Sequence, residues 1–164
     1  MRRPLFVFLV LASGLAAFSR PMRADSTPQP QTAAAQPTIL QTQESNTAGI
    51  ILEVIECKRA DGVLSLRMRL HNTTTATMQV RLISGRNFDH YYVVAGTKKY
   101  FVLRDSEDVP LAPAADGFGN LSVDVPRNGS WTWWAKYPAP PDTEKTVTYY
   151  TPLAPPVEAI PISG

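Results

Sequence analysis

From Val63 to His71 the chain alternates without a break: Leu64, Leu66, Met68 and Leu70 fall on one parity, Ser65, Arg67, Arg69 and His71 on the other. Successive side chains of an extended strand point to opposite faces, so this spelling defines a strand with one dry face and one wet face. A helical period would scatter the same apolar set around its circumference. The pattern recurs along the chain. Gly49 to Lys58 is rich in Ile, Val and Leu, and Asp61-Gly62 is a two-residue hairpin signal before the alternating run. Asn72 to Thr75 reads as a turn, after which Met78, Val80 and Leu82 face in and Gln79, Arg81 and Ile83 face out, giving a second hairpin. Tyr91 to Ala95 and Lys99 to Arg104 flank a Gly96-Thr97 turn, Asp105 to Asp108 forms a polar turn, and Pro110 to Asn120 is a surface loop. Leu121 to Val125 and Ser130 to Tyr137 flank Pro126-Arg127-Asn128-Gly129, where Asn-Gly suits a tight hairpin, and Thr146 to Thr151 is the last strand. Seven or eight short strands with turn signals between them predict an all-β antiparallel sandwich or barrel. Pro152, Pro155, Pro156 and Pro161 restrict the C-terminal segment to an extended edge or a polyproline-like strap, which also guards a sheet edge against unwanted pairing.

The first 47 residues read differently. Met1-Arg2-Arg3, the apolar run Leu5 to Leu15 and the small residues around Ala16, Ala17 and Ser19 have the layout of a secretory signal peptide, taken here as 1–24. The apolar run is short for a membrane span, so no stable anchor is expected after cleavage. Cleavage sites ending at Ala16, Ser19 or Ala24 all fit. Residues 25–47, dominated by Gln, Thr, Pro and Ala, are expected to form a disordered linker, leaving the domain at 48–164. The destination is extracytoplasmic, periplasm or medium.

Charge narrows the partners. Of 16 basic and 14 acidic residues, four arginines and two acids precede Gly49, so the domain carries twelve of each sign. A formally neutral domain lacks the basic footprint that phosphate backbones require, so nucleic acid is not an expected partner. The single Cys57 cannot form an internal disulfide and lies in a strand-like run, where a buried thiol is the expected state and an intermolecular bridge the alternative.

Four stretches carry a resemblance: Leu66-Arg67-Met68-Arg69-Leu70-His71-Asn72-Thr73, Tyr100-Phe101-Val102-Leu103-Arg104-Asp105-Ser106, Val125-Pro126-Arg127-Asn128-Gly129-Ser130, and Tyr137-Pro138. From Gly49 to about Tyr150 the chain resembles a family of small secreted bacterial immunoglobulin-like domains that includes the immunoprotective extracellular antigens. The resemblance implies an immunoglobulin-like sandwich and an exported location, and brings no catalytic residues with it. Two departures stand out: Asp108 occupies a turn position where the family pattern has Gly, and Trp131-Thr132-Trp133-Trp134 is an added aromatic cluster.

Chemistry-bearing groupings are sparse. A nucleophilic triad needs a Ser or Cys near an oriented histidine, and the chain has only His71, on a wet face, and His90, ahead of a strand. No catalytic residues are assigned. No close Cys/His ligand pairs suggest zinc, and Asp105, Glu107, Asp108 and Asp116 lack the alternating ligands of a calcium loop, so neither metal nor cofactor is expected and the acidic turn reads as solvated. Aromatics are the conspicuous resource. Parity puts Trp131 and Trp133 on one face and Trp134 on the other, so at least one tryptophan should lie outside the core. Trp134, Tyr137, Tyr92 and Trp131 are the candidate binding residues, with core filling the competing account. The expected function is a noncatalytic interaction module for an envelope or secreted protein, the alternative a small-ligand or glycan-binding sandwich using exposed aromatics.

Overall fold

The computed structural model describes residues 38–164. The expected signal peptide and the linker as far as residue 37 lie outside the described residues. The described chain is all β, in ten strands: β1 (Gln41–Glu44), β2 (Ile50–Ala60), β3 (Val63–Asn72), β4 (Met78–Ile83), β5 (Tyr92–Ala95), β6 (Lys98–Phe101), β7 (Leu121–Val125), β8 (Ser130–Pro138), β9 (Thr146–Thr151) and β10 (Ala154–Pro161). They form two four-stranded sheets, ordered β1-β2-β3-β8 and β10-β9-β5-β6, and a two-stranded β4-β7 ribbon. Every pairing between named strands is antiparallel.

One sandwich-like core joins all three sheets. Leu52, Leu66 and Met68 from the first sheet, Val93, Tyr149 and Val157 from the second, and Val80 and Val123 from the ribbon belong to one buried cluster. Leu64, Leu66, Met68 and Leu70 are all fully buried, as the alternation requires. Each such side chain contributes roughly 1.5–3 kcal/mol by leaving water. Asp61 and Gly62 both take positive φ, 50° and 75°, the backbone of a type I′ turn whose twist matches the β2-β3 ribbon.

The other two expected hairpins are corners instead. β4 pairs with β7 and β8 with β3, so neither Asn72–Thr75 nor Pro126–Gly129 joins strands that pair with each other. The buried side chain of Asn72 ties the two corners together. Its Nδ2 donates to Ala76 O at 2.8 Å and to Val125 O at 3.0 Å, while its Oδ1 accepts from Thr74 N at 2.9 Å. A hairpin would have left that amide in solvent. Ile83, expected outward, is buried because the β4-β7 register shifts between Arg81 and Ile83, and a bulge of this kind reverses side-chain parity.

Both ends of the described chain add strands. Gln41–Glu44, expected in the disordered linker, pair with Val54–Ile51 as β1. The following turn is fixed to the C-terminal strand region, with Asn46 N donating to Leu153 O at 2.7 Å and Ser45 Oγ to the same oxygen at 2.9 Å. The proline-rich segment forms β10, an edge strand with two register shifts around Pro155, Pro156 and Glu158.

Candidate functional site

Strand parity decides where each expected binding residue goes. On β8, Trp133, Ala135 and Tyr137 are buried, and Trp134 is 40% exposed on the opposite face. Trp131 shares the inward parity but sits near the strand end, partly buried against the core. Trp133 packs in the middle, 4.7 Å from the Tyr91 ring and 6.4 Å from Phe88. Tyr137 is therefore a core residue and is corrected out of any surface patch. Tyr92 is half-buried on β5 of the other sheet, where its neighbours Tyr91 and Val93 are buried. The four residues do not converge; Trp134 and Tyr92 lie on the solvent faces of different sheets.

The aromatic surface that does form is on the outer face of β9-β5-β6. Tyr92 stands opposite Tyr150 on one side and Phe101 on the other. The Tyr92 and Tyr150 rings stack at 4.7 Å with 9° between planes, and the Phe101 ring tilts against Tyr92 at 5.8 Å. Lys99 Nζ lies 4.6 Å over the Tyr92 ring, within cation–π range. Phe101, 46% exposed, ends this cross-strand row on β6, the last strand of its sheet. Phe101 and Tyr150 are not among the residues expected from the sequence at an aromatic surface, although a signal for both is present. A two-residue turn at Gly96-Thr97 fixes Tyr92 opposite Phe101, and the doublets Tyr91-Tyr92 and Tyr149-Tyr150 each send one ring in and one out.

The outer face of the other sheet is built from charge. Arg69 Nε meets Glu53 Oε2 at 2.6 Å across β3-β2, and Arg67 lies 3.9 Å from Glu56. Trp134 stands opposite Arg67 and borders a shallow cleft of about 260 Å³ that Glu56, Ser65 and Lys136 also line. A larger cleft, about 720 Å³, lies beside the 139–145 loop, yet its arginine is committed to structure. Arg59 Nη2 donates to Pro141 O at 3.0 Å and Glu144 O at 2.8 Å, and Nη1 pairs with Asp142 at 3.2 Å.

Burial explains the remaining titratable groups. Cys57 faces the core, and desolvation pushes its thiol up to about 12 against the opposing pull of Arg59; a thiol held neutral is a poor nucleophile. His71 is on the opposite face of the sheet, and exposed His90 contacts Asn87 at 3.3 Å. Tyr91, Tyr137 and Tyr149 are all raised, first by desolvation. Tyr91 OH donates to Leu82 O, the hydroxyls of Tyr137 and Tyr149 neighbour each other without a bond of good geometry, and the Trp133 indole nitrogen finds no acceptor among the described residues.

The acidic turn uses its carboxylates locally. Asp105 Oδ1 accepts from Glu107 N and Val109 N, both at 2.9 Å, and Asp108 meets Arg104 at 3.4 Å. Asp108 has φ 62°, so the aspartate stands in left-handed backbone, the conformation that favours glycine. Among the described residues, no group of three or more His, Cys, Asp or Glu side chains is disposed to hold a metal ion. Compared with known proteins, the chain matches no family model, and neither a curated protein nor a solved structure is significantly similar to it.

Proposed function

We propose that this chain is an exported, noncatalytic interaction module of the immunoglobulin-like kind, and that it binds a protein partner through the outer face of β9-β5-β6. One observation carries the reading: Tyr150, Tyr92 and Phe101 form a continuous aromatic row on a solvent face, the two tyrosines stacked, Phe101 tilted against Tyr92 and Lys99 over the Tyr92 ring. Rings held in place before binding lose little conformational freedom on contact, and tyrosines with an apolar body and a polar tip are frequent interface anchors. The immunoglobulin-like assignment is supported by the strand order, two antiparallel four-stranded sheets whose sequence-distant strands β3-β8 and β5-β9 pair side by side. Export is supported by the charged start, apolar run and small residues of 1–24.

The test is cross-linking in the producing organism, followed by mass spectrometry, with the wild-type chain and a Tyr92→Ser, Phe101→Ser double variant. Capture of the same protein by wild type and its loss from the variant is the expected result. Equal capture by both would remove this face from consideration.

A second reading, small-ligand or glycan binding, is favoured by Trp134 alone. A half-exposed indole beside a cleft with Arg67, Glu56, Ser65 and Lys136 offers a stacking surface next to hydrogen-bonding groups. The Tyr92 and Tyr150 rings suit this less well, since they stack on each other. Tryptophan fluorescence of wild type and Trp134→Phe against a glycan panel tests it; a ligand-dependent change present only in wild type is the expected signal for this reading.

A further inference from the structure

Phe118 is 87% exposed, the most exposed large apolar side chain among the described residues. The turn that carries it is held from both sides. Asp116 Oδ1 accepts from Phe118 N at 2.9 Å and Asn120 N at 2.8 Å, and Asp116 N donates to Asn120 O at 2.7 Å. From the neighbouring loop, Arg86 N donates to Gly119 O at 2.7 Å. Gly119 has φ 81°, and a Cβ there would stand 2.8 Å from the Arg86 nitrogen, so this close approach requires glycine. The bonds fix the turn backbone, so the Phe118 ring projects as a knob from a defined point.

A socket lies beside it. A cleft of about 490 Å³ is lined on its apolar side by Phe88, Val109, Pro110, Ala112 and Ala114, and Asp116 of the Phe118 turn forms part of its rim. A benzene-sized group needs about 150 Å³ in an apolar cavity, so a phenyl ring fits. Val109, 49% exposed, is the part of the socket lining most open to a partner. The rim carries both signs, Arg86 and Arg104 with Glu107, Asp108 and Asp116. Knob and socket next to each other, with mixed charge around them, make a self-complementary patch, which is the requirement of a two-fold interface. A membrane is a poorer occupant, because the rim sets Glu107, Asp108 and Asp116 against Arg86 and Arg104 and so has no excess of positive charge to attract anionic lipid.

We infer that two copies of this chain associate about a two-fold axis, each placing Phe118 in the cleft beside Val109 and Ala114 of the other. This surface is separate from the β9-β5-β6 face, so the inference stands or falls independently of the proposed partner-binding role. A contact built on one ring and one cleft is expected to be weak, so association is sought over a concentration range of roughly 10 μM to 1 mM.

Sedimentation equilibrium of the purified chain across that range tests it, with Phe118→Ser removing the knob and Ala114→Trp filling the socket. Both substitutions are at exposed positions, and circular dichroism checks that each variant is folded. The expected result is a monomer–dimer equilibrium in wild type and a Kd at least tenfold weaker in each variant. A wild type that stays monomeric up to about 1 mM overturns the inference. So does association that survives Phe118→Ser, or association that Phe118→Ser abolishes but Ala114→Trp leaves intact, since the ring would then dock elsewhere.

Discussion

The two faces of β5 and β9 use the same side chains to opposite ends. Tyr91 and Tyr149 point inward and are closed from water, Tyr91 stacked on Trp133; Tyr92 and Tyr150, one residue on, stack with each other in solvent contact. Nothing in residue type separates the members of each doublet. Parity alone does, and it converts one tyrosine into core volume and the next into surface. Composition therefore says little about which aromatics are available to a partner, and register says nearly everything.

The largest contrast is in stability. Tyr149→Ala should cost roughly 3–5 kcal/mol, the usual range for emptying an aromatic core site, whereas Tyr150→Ala should cost about 1 kcal/mol because its ring stacks on a surface neighbour and stays partly in water. Urea unfolding of the two variants reads the difference. Similar costs at the two positions would mean that the inner and outer faces are wrongly distinguished.

Alkaline pH should attack the inner face specifically. Cys57 is pushed from 9.0 up to about 12 by burial, and the three core tyrosines are raised above 10.0. Acids whose folded pKa is raised contribute stability that is intact below the unfolded value and declines as pH rises toward the folded one. Cys57 thus weakens the fold between about pH 9 and 12, by about 1.4 kcal/mol per pH unit where it is ionised only in the unfolded chain, and the tyrosines add to this above pH 10. Cys57→Val should flatten the fall in urea midpoint between pH 9 and 10 and leave the steeper fall above it.

Single oxygens sharpen the comparison further. Tyr91→Phe removes the donor to Leu82 O and should cost about 1 kcal/mol or more. Tyr137→Phe removes a hydroxyl whose near partner is the buried Tyr149 hydroxyl, at poor bonding geometry, and should cost less, about 0.5 kcal/mol. The expected outcome in thermal unfolding is a clearly larger loss for Tyr91→Phe than for Tyr137→Phe.

The range of each interaction decides how legible it is in the sequence. The β3 core row and the Asp61-Gly62 turn depend on neighbours in sequence, and the sequence predicts both. The split of Trp133 from Trp134 is legible for the same reason. The corners at Asn72 and Pro126–Gly129 are not, because a turn signal does not name the next strand as a partner, and β4 finds β7 only through the third dimension. β1 is hidden in a polar segment because an edge strand with Gln and Thr is held by backbone hydrogen bonds rather than by apolar pattern. The four expected binding residues do not share one face: Tyr137 has the parity of Trp133, not that of Trp134, and cross-strand register, rather than closeness in sequence, assembles Tyr150, Tyr92 and Phe101.

The most direct test of the central claim is photo-crosslinking in the producing organism with benzoylphenylalanine placed at Phe101, at Trp134 or at Gln79, the last an exposed control on the ribbon. The account predicts a discrete protein adduct from position 101 and none from 79 or 134. Adducts from 134 alone, or none from 101 in a folded and expressed chain, would contradict it.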